Sequence, residues 1–595
     1  MSSDLTDLKS FDYVIVGGGN AGLVAAARLV EDPIITVCVL EAGEDVTHLP
    51  DIIIPGLSFK NMGNPNFDWS FQSTPQVNAN DRTIHLLRGK GLGGSTILNF
   101  MELARGHEEE YDAFETLGAK GWNWKSLLEY FKKSETFTVS SNDMERFGAT
   151  VNPLFHGTEG PLHRTMSKWI CDAHMPFLKT LESLGIPFNP DCSSGSNTGI
   201  FHAGHAIDPI EASRSSSATA YYEPVKAKRN LKVITGARAT QILLKKDDVP
   251  RTVVAQGVNF IKDGKELTVY CRKEVIISAG TFQTPQLLEL SGIGSKATLD
   301  KYGIPVILDL PGVGENLQDH FWCPFTAVMD SKYESFEVLA NPERAVQEME
   351  LYEKSKSGMM STAASSIFAF IPPTKFLSDI DVVRSSLKSV IASTPGQQKA
   401  IDIQKAWFEN DNIGHLEFAP FPGFMPAPGK APVPGKHYFS LFAGLLHPFS
   451  RGTVHINSSS ILDAPNIDLR VLDNEADLEM MVQAIKFSRK VIRNQPLSGM
   501  ITEEVIPGPE IESDEDIKDW IRNIIQTTFH PIGTAAMVPL EDGGVVDAEL
   551  KVYGTSNLRV VDASIIPIQI SSHTQATVYA IAEKAVDIIK GSMRS

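Results

Sequence analysis

Hydrophobic and polar positions along this chain follow two different periods, and the change between them divides it. Residues 11–16 (FDYVIV) form a short, β-branched, almost wholly apolar run, the pattern of a strand buried on both faces of a parallel sheet. Gly17, Gly19 and Gly22 follow, and the Ala-rich LVAAARLV then predicts a helix. A second buried strand, ITVCVL, leads to Glu41, nineteen residues beyond Gly22. Residues 50–82 lack a clear period and contain the turn-rich NMGNPNFDWSFQSTPQ, which predicts a cover loop. Residues 122–137 (WNWKSLLEYFKKSETF) read as an amphipathic helix.

Between about residues 330 and 520 the pattern changes. Aromatic, Pro-rich loops (HLEFAPFPGFMPAPGKAPVPG) alternate with strand-like runs (HYFSLFAGLL, GTVHIN), and a helix is predicted over 474–493. This composition predicts an α+β domain built on an antiparallel sheet. Parallel-strand character returns in LRVVDAS (558–564), which runs to Asp562, and SSHTQATVYAIAEKAVDIIK then opens with capping residues and becomes a helix. The expected fold is therefore an α/β Rossmann-like domain, split in sequence, with a second antiparallel-sheet domain. The expected boundaries place 1–165, 206–325 and 526–595 in the first domain and 166–205 and 326–525 in the second, with the cover loop at about 50–82.

The strand, glycine turn, helix, strand and acid at the start form a dinucleotide fingerprint. The glycines allow a tight turn and close approach of backbone to a pyrophosphate, the helix N-terminus offers unpaired N–H groups, and Glu41 can accept from a ribose diol. These residues alone leave FAD and NAD equally open. Composition narrows the partners: with a formal charge of −18, the chain repels the phosphates of nucleic acids and anionic membranes. No run reaches the ~18 uncharged apolar residues of a membrane span. Five cysteines without CxxC predict reduced thiols, and the start MSSDLTDLKS lacks the basic and apolar regions of a secretory signal, so a cytoplasmic enzyme is expected.

A second glycine-dense segment makes the reading specific. RGKGLGGSTILNFMELARG (88–106) and GTFQTPQLLELSGIG (280–294) resemble the two signatures of the glucose–methanol–choline (GMC) oxidoreductases. GVGENLQDH (312–320), FHPIGTAAMVP (529–539) and SSHTQAT (571–577) fall where that family places them, so the resemblance spans essentially the whole chain. It implies that the dinucleotide is FAD and that the two domains are an FAD-binding and a substrate domain. It further implies contacts from Asn20 and Ala21 to the pyrophosphate and from Glu41 and Ala42 to the adenosine ribose. Gly93, Ser95, Asn99, Phe100, Met101 and Glu102 would lie along the pyrophosphate, ribityl chain and isoalloxazine. Val233 would give a backbone contact to adenine, and Ala563, Thr574 and Gln575 would return to the flavin. Trp69 in the cover loop, Arg88 and Asp562 complete the expected cofactor set.

Of the fifteen histidines, His530 and His573 stand in family-matching segments and are the expected catalytic pair. Alcohol oxidation requires removal of the hydroxyl proton and hydride transfer to flavin N5. A neutral imidazole suits the first task, because its ordinary pKa is ~6.5. His530, beside Pro531, is assigned as the base and His573 as the group that bonds and orients the substrate oxygen. Histidine at position 573 resembles glucose oxidase, glucose dehydrogenase and aryl-alcohol oxidase. Phe529, expected in the substrate pocket, and the FHPIGTA wording lean towards aryl-alcohol-oxidase-like enzymes. The expected reaction is oxidation of a primary, aromatic or allylic alcohol, with O2 reduced to hydrogen peroxide. The rivals are a dehydrogenase that uses a quinone and a hydroxynitrile lyase on the same fold. His202 and His205 (FHAGHA) lack a third ligand, so no metal is expected.

Overall fold

The computed structural model describes residues 10–140, 145–146, 148, 152–246, 252–363 and 365–592. The polar start of the chain (1–9) and residues 593–595 lie outside them. Strand β1 (Ser10–Val16) turns through the glycines into helix α1 (Asn20–Leu29), and β2 (Val37–Leu40) follows. Later come β3 (Leu231–Ile234), β4 (Arg238–Lys246), β5 (Val253–Lys262), β6 (Lys265–Ile277), α2 (Gly280–Leu290), β7 (Leu558–Val560) and α3 (Gln575–Ser592). The sheet order is β3-β2-β1-β6-β5-β4, with β7 pairing β6. Strands β3, β2, β1, β6 and β7 pair in parallel, while β4 and β5 extend the sheet as antiparallel strands.

The α1 sequence NAGLVAAARL explains how that helix sits. Small alanines leave no bulky face, so nearly every residue of α1 is buried between the sheet and its neighbours. Arg28 in its last turn donates to Glu583 of α3 at 2.8 and 2.9 Å, tying the first helix of the domain to the last. The parallel sheet is thus assembled from opposite ends of the chain.

The second sheet is antiparallel throughout. Its order is Ile501–Ile506, Phe321–Met329, His437–Leu445, Leu416–Phe421, Ile367–Ile371 and Gly199–His202, with Gln526–Thr527 also pairing Phe321–Met329. Helix Glu475–Ile492 packs on it, burying Met480, Met481, Ala484 and Ile485 against Phe418, Phe439 and Leu441. Each of the larger buried side chains, Ala484 aside, contributes about 1.5–3 kcal/mol. Two expected boundaries shift. FWCPFTAVM is one continuous apolar strand starting at Phe321, so the sheet takes it whole instead of from residue 326, and Gln526–Thr527 stays with this sheet beyond 525.

All five cysteines are free thiols. His202 and His205 are buried, His205 lies 2.8 Å from the carbonyl of Ser365, and among the described residues no three His, Cys, Asp or Glu side chains gather to hold a metal. Among the described residues no helix is long and apolar enough to cross a membrane.

Candidate active site

The two sheets share one cavity of about 700 Å³, within the roughly 300–1,000 Å³ of small-molecule sites. One end is built by the glycine turn. A Cβ on Gly17 (φ +105°) would lie 2.3 Å from the carbonyl oxygen of Ser278, and one on Gly22 would lie 1.9 Å from that of Gly17. Only glycine lets β1, α1 and the segment before α2 pack this closely. Gly17, Gly19, Asn20 and Ala21 line the cavity, whereas Gly22 serves this packing behind it. Gly93 likewise stands behind the wall, its N–H donating to the carbonyl of Gly18 at 2.8 Å, and its neighbour Gly94 lines the cavity instead.

No side chain caps α1, and its first turn holds no acid, so its N-terminal N–H groups and positive dipole face the cavity unneutralised. Asn20 Oδ1 and Ser278 Oγ are buried cavity-wall atoms without a protein partner. Glu41 accepts from the N–H groups of Gly18 (2.8 Å) and Gly43 (2.7 Å), and burial pushes its carboxyl up to about 6. At the first residue of α2, a Cβ on Gly280 (φ +83°) would meet nothing within 4 Å. A helix N-terminus, orphaned polar atoms and a fixed carboxylate match the diphosphate and ribose of a dinucleotide.

Ala42, Trp69, Arg88, Ser95, Asn99, Phe100, Met101 and Glu102 all line the cavity, as do Asp562, Ala563, Thr574 and Gln575. Asp562 is spoken for by protein: it accepts from the N–H of Gly280 (2.9 Å) and the hydroxyl of Thr284 (2.7 Å), anchoring the start of α2. Val233 is a correction. It sits in β3, paired with β2 and packed towards Leu23, Leu92 and Ala218, and the chain reaches the cavity only after the next turn, at Ala237, Arg238 and Ala239.

At the other end stand Phe529, His530 and His573. His530 Nδ1 lies 3.0 Å from Nδ1 of His320 and 2.9 Å from Oγ1 of Thr528. The His530 N–H donates to Asp319 (2.8 Å), and its carbonyl accepts from Gln569 (3.1 Å). Phe529 adopts φ +65°, held there by the Arg88 guanidinium, which bonds its carbonyl. Met101, beside Glu102, has the same unusual φ, so sparsely populated backbone flanks the site twice.

The His530 and His573 rings are 4.5 Å apart between centroids, but their environments differ. Burial, then the neighbouring His573, His320 and Arg88, holds His530 well below the ordinary imidazole range. Burial alone would do the same to His573, yet Glu417 at 3.0 Å from Nε2 and Glu102 at 3.1 Å from Nδ1 outweigh it and push it up to about 9. This adds to the expected role of His573: Nε2 bonds Glu417, while Nδ1 stands at ion-pair distance from Glu102 without a hydrogen bond to it, so the ring sits between two carboxylates that favour its charged form. The sequence reading missed Glu417. Its signal was a lone acid in the otherwise apolar strand LEFAPF, where a buried charge demands a partner.

A family model described as GMC oxidoreductase matches residues 11–322 in its N-terminal part and 448–582 in its C-terminal part. The chain is 35% identical to the GMC oxidoreductase family protein Mala s 12 of Malassezia sympodialis, over 98% of its own length and 93% of that protein's. It is also 35% identical to dehydrogenase mpl7 of Monascus purpureus, over 98% and 96% of the two lengths. Among solved structures, an FAD-dependent oxidoreductase from Chaetomium thermophilum superposes with a TM-score of 0.89 at 31% identity, covering 98% of this chain and 100% of the other. A fungal aryl-alcohol oxidase does so with a TM-score of 0.86 at 29% identity, with the same coverage.

Proposed function

The chain belongs to the GMC oxidoreductase family, an FAD-dependent group of enzymes acting on CH–OH donors, and on that premise we propose that it oxidises a primary aromatic or allylic alcohol to the aldehyde, with O2 as acceptor and hydrogen peroxide as product. The N-terminus of α1 with Asn20 would hold the FAD diphosphate, and Glu41 the ribose. FAD, when bound, supplies the hydride acceptor.

The protein's own contribution is proton handling and placement. The observation that carries the proposal is the His530–His573 pair at the cavity wall, its rings 4.5 Å apart, with carboxylates flanking His573 alone and burial disfavouring the charged form of His530. His530 takes the hydroxyl proton, its low pKa keeping it unprotonated at neutral pH. His573, charged below about pH 9, presents a fixed positive charge 4.5 Å from the base, where it favours an alcohol oxygen that is losing its proton. Phe100, Trp322, Phe421, Phe424 and Phe442 line the cavity, with exposed Phe59 at its wall, and give an aromatic substrate apolar and edge-to-face partners.

Likeness in fold to an aryl-alcohol oxidase supports the oxidase reading. Relatives that carry the name dehydrogenase support a second one, in which a quinone receives the electrons. An aerobic panel of primary alcohols, followed by peroxide detection beside the same panel with a quinone acceptor, separates them. Peroxide formed in step with aldehyde is expected. Turnover seen only with the quinone would replace the first reading by the second.

A further inference from the structure

We propose that His320 is a positioning residue that fixes the proton of His530 on Nδ1 and thereby leaves Nε2, the nitrogen free of protein partners, as the basic atom. The proposal rests on His530 being the base. Its starting point is a carbonyl: His320 Nε2 lies 3.0 Å from the backbone oxygen of Ile570, which can only accept, so Nε2 of His320 carries hydrogen. His320 is 1% exposed and buried without a carboxylate partner, conditions that keep an imidazole neutral, and so its Nδ1 is a bare acceptor. That acceptor is 3.0 Å from Nδ1 of His530, the two rings standing at 90°. The hydrogen between them must then belong to His530.

Thr528 alone would not decide the matter, because a hydroxyl can donate or accept. Its Oγ1 lies 3.4 Å from the carbonyl of His320, to which it can donate while accepting from His530 Nδ1 at 2.9 Å. Both neighbours of His530 Nδ1 thus fit the same tautomer.

The two residues before His320 hold this arrangement in place. Gln318 donates to the carbonyl of Pro567 and accepts from the N–H of Gln569, both at 3.1 Å, gripping the segment that carries the Ile570 oxygen. Asp319 accepts from the N–H of His530 at 2.8 Å and from the hydroxyl of Thr527. Gln318, Asp319 and His320 therefore fix, in turn, the acceptor carbonyl, the backbone of the base and the proton of the base.

The test reads the tautomer without a substrate. In FAD-loaded, ¹⁵N-histidine-labelled enzyme, the His530 signals are identified by their loss in His530→Ala. The expected spectrum shows Nδ1 protonated and Nε2 bare in the wild type and in His320→Asn, whose amide oxygen stands in for the accepting nitrogen. In His320→Leu, Nε2 becomes protonated. Alcohol turnover should follow, with kcat falling ~10²-fold in His320→Leu at little-changed KM and FAD content, and recovering most of that in His320→Asn. A wild-type His530 protonated on Nε2, or a tautomer unchanged in His320→Leu, overturns the proposal, as does an equal kcat loss in both variants. A wild type with the expected tautomer that no alcohol reduces would instead count against His530 as an alcohol base, leaving the assigned tautomer standing.

Discussion

Two histidines share the cavity wall and titrate in opposite directions. Removing water alone would push both down, and only the Glu417 and Glu102 carboxylates reverse the sign for His573. Because the folded value, about 9, lies above the ordinary ~6.5, the cation and the stability it adds are fully present below that ordinary value. Both are lost as pH rises through about 9. If charged His573 supports turnover, the alkaline limb of kcat/KM against pH should lie near 9 and move down by at least about one unit in Glu417→Gln, since one unit equals ~1.4 kcal/mol of lost pairing. Coincident limbs for the two enzymes would show that this charge does not assist the reaction. At this scale the sequence was legible where chemistry is tied to a motif: Asn20, Glu41, His530 and His573 all reach the cavity. It stopped short where partners come together only in the fold: the lone acid of LEFAPF marks Glu417 as needing a partner but does not name His573, 156 residues away. It was misleading at Val233, where nothing in LKVIT marks the turn that hands the wall to Ala237.

Among the elements, the glycine turn is the most demanding. Adding a methyl at Gly22 would drive α1 away from β1, because it would sit 1.9 Å from the Gly17 carbonyl oxygen and 3.3 Å from Ser278 Cβ. Overpacking of this kind costs about 1–3 kcal/mol, and it displaces the N-terminal N–H groups that face the cofactor. Gly22→Ala should therefore purify with much of its FAD lost and a lowered melting temperature, read from the flavin absorbance per protein and a thermal scan. Full FAD content with an unchanged melting temperature would mean the turn tolerates the methyl. Strand β1, helix α1, β7 and α3 were readable because each has a clean period and punctuation. The return to the second sheet was harder to place: strand Phe321–Met329 follows His320 without a turn residue, and an apolar run continuing from a motif carries no mark of changing sheet.

The molecule as a whole joins two sheets around one cavity, with the parallel sheet closed by the chain's two ends through Arg28 and Glu583. The residues expected to hold the cofactor come from 17–102 and 562–575, and the aromatic wall joins Trp322, Phe421 and Phe442 of the antiparallel sheet to Phe59 and Phe100. A net charge of −18 opposes the approach of polyanions and does not oppose that of the small uncharged alcohol proposed as substrate. The account stands or falls on whether such an alcohol reacts at His530. The direct measurement is anaerobic bleaching of the flavin absorbance by a primary aromatic alcohol, in the wild type and in His530→Ala of equal FAD content. Rapid bleaching in the wild type, slowed ~10²- to 10⁴-fold in the variant, is the predicted result. Equal rates in the two enzymes, or a wild-type flavin that no primary alcohol bleaches, would contradict it.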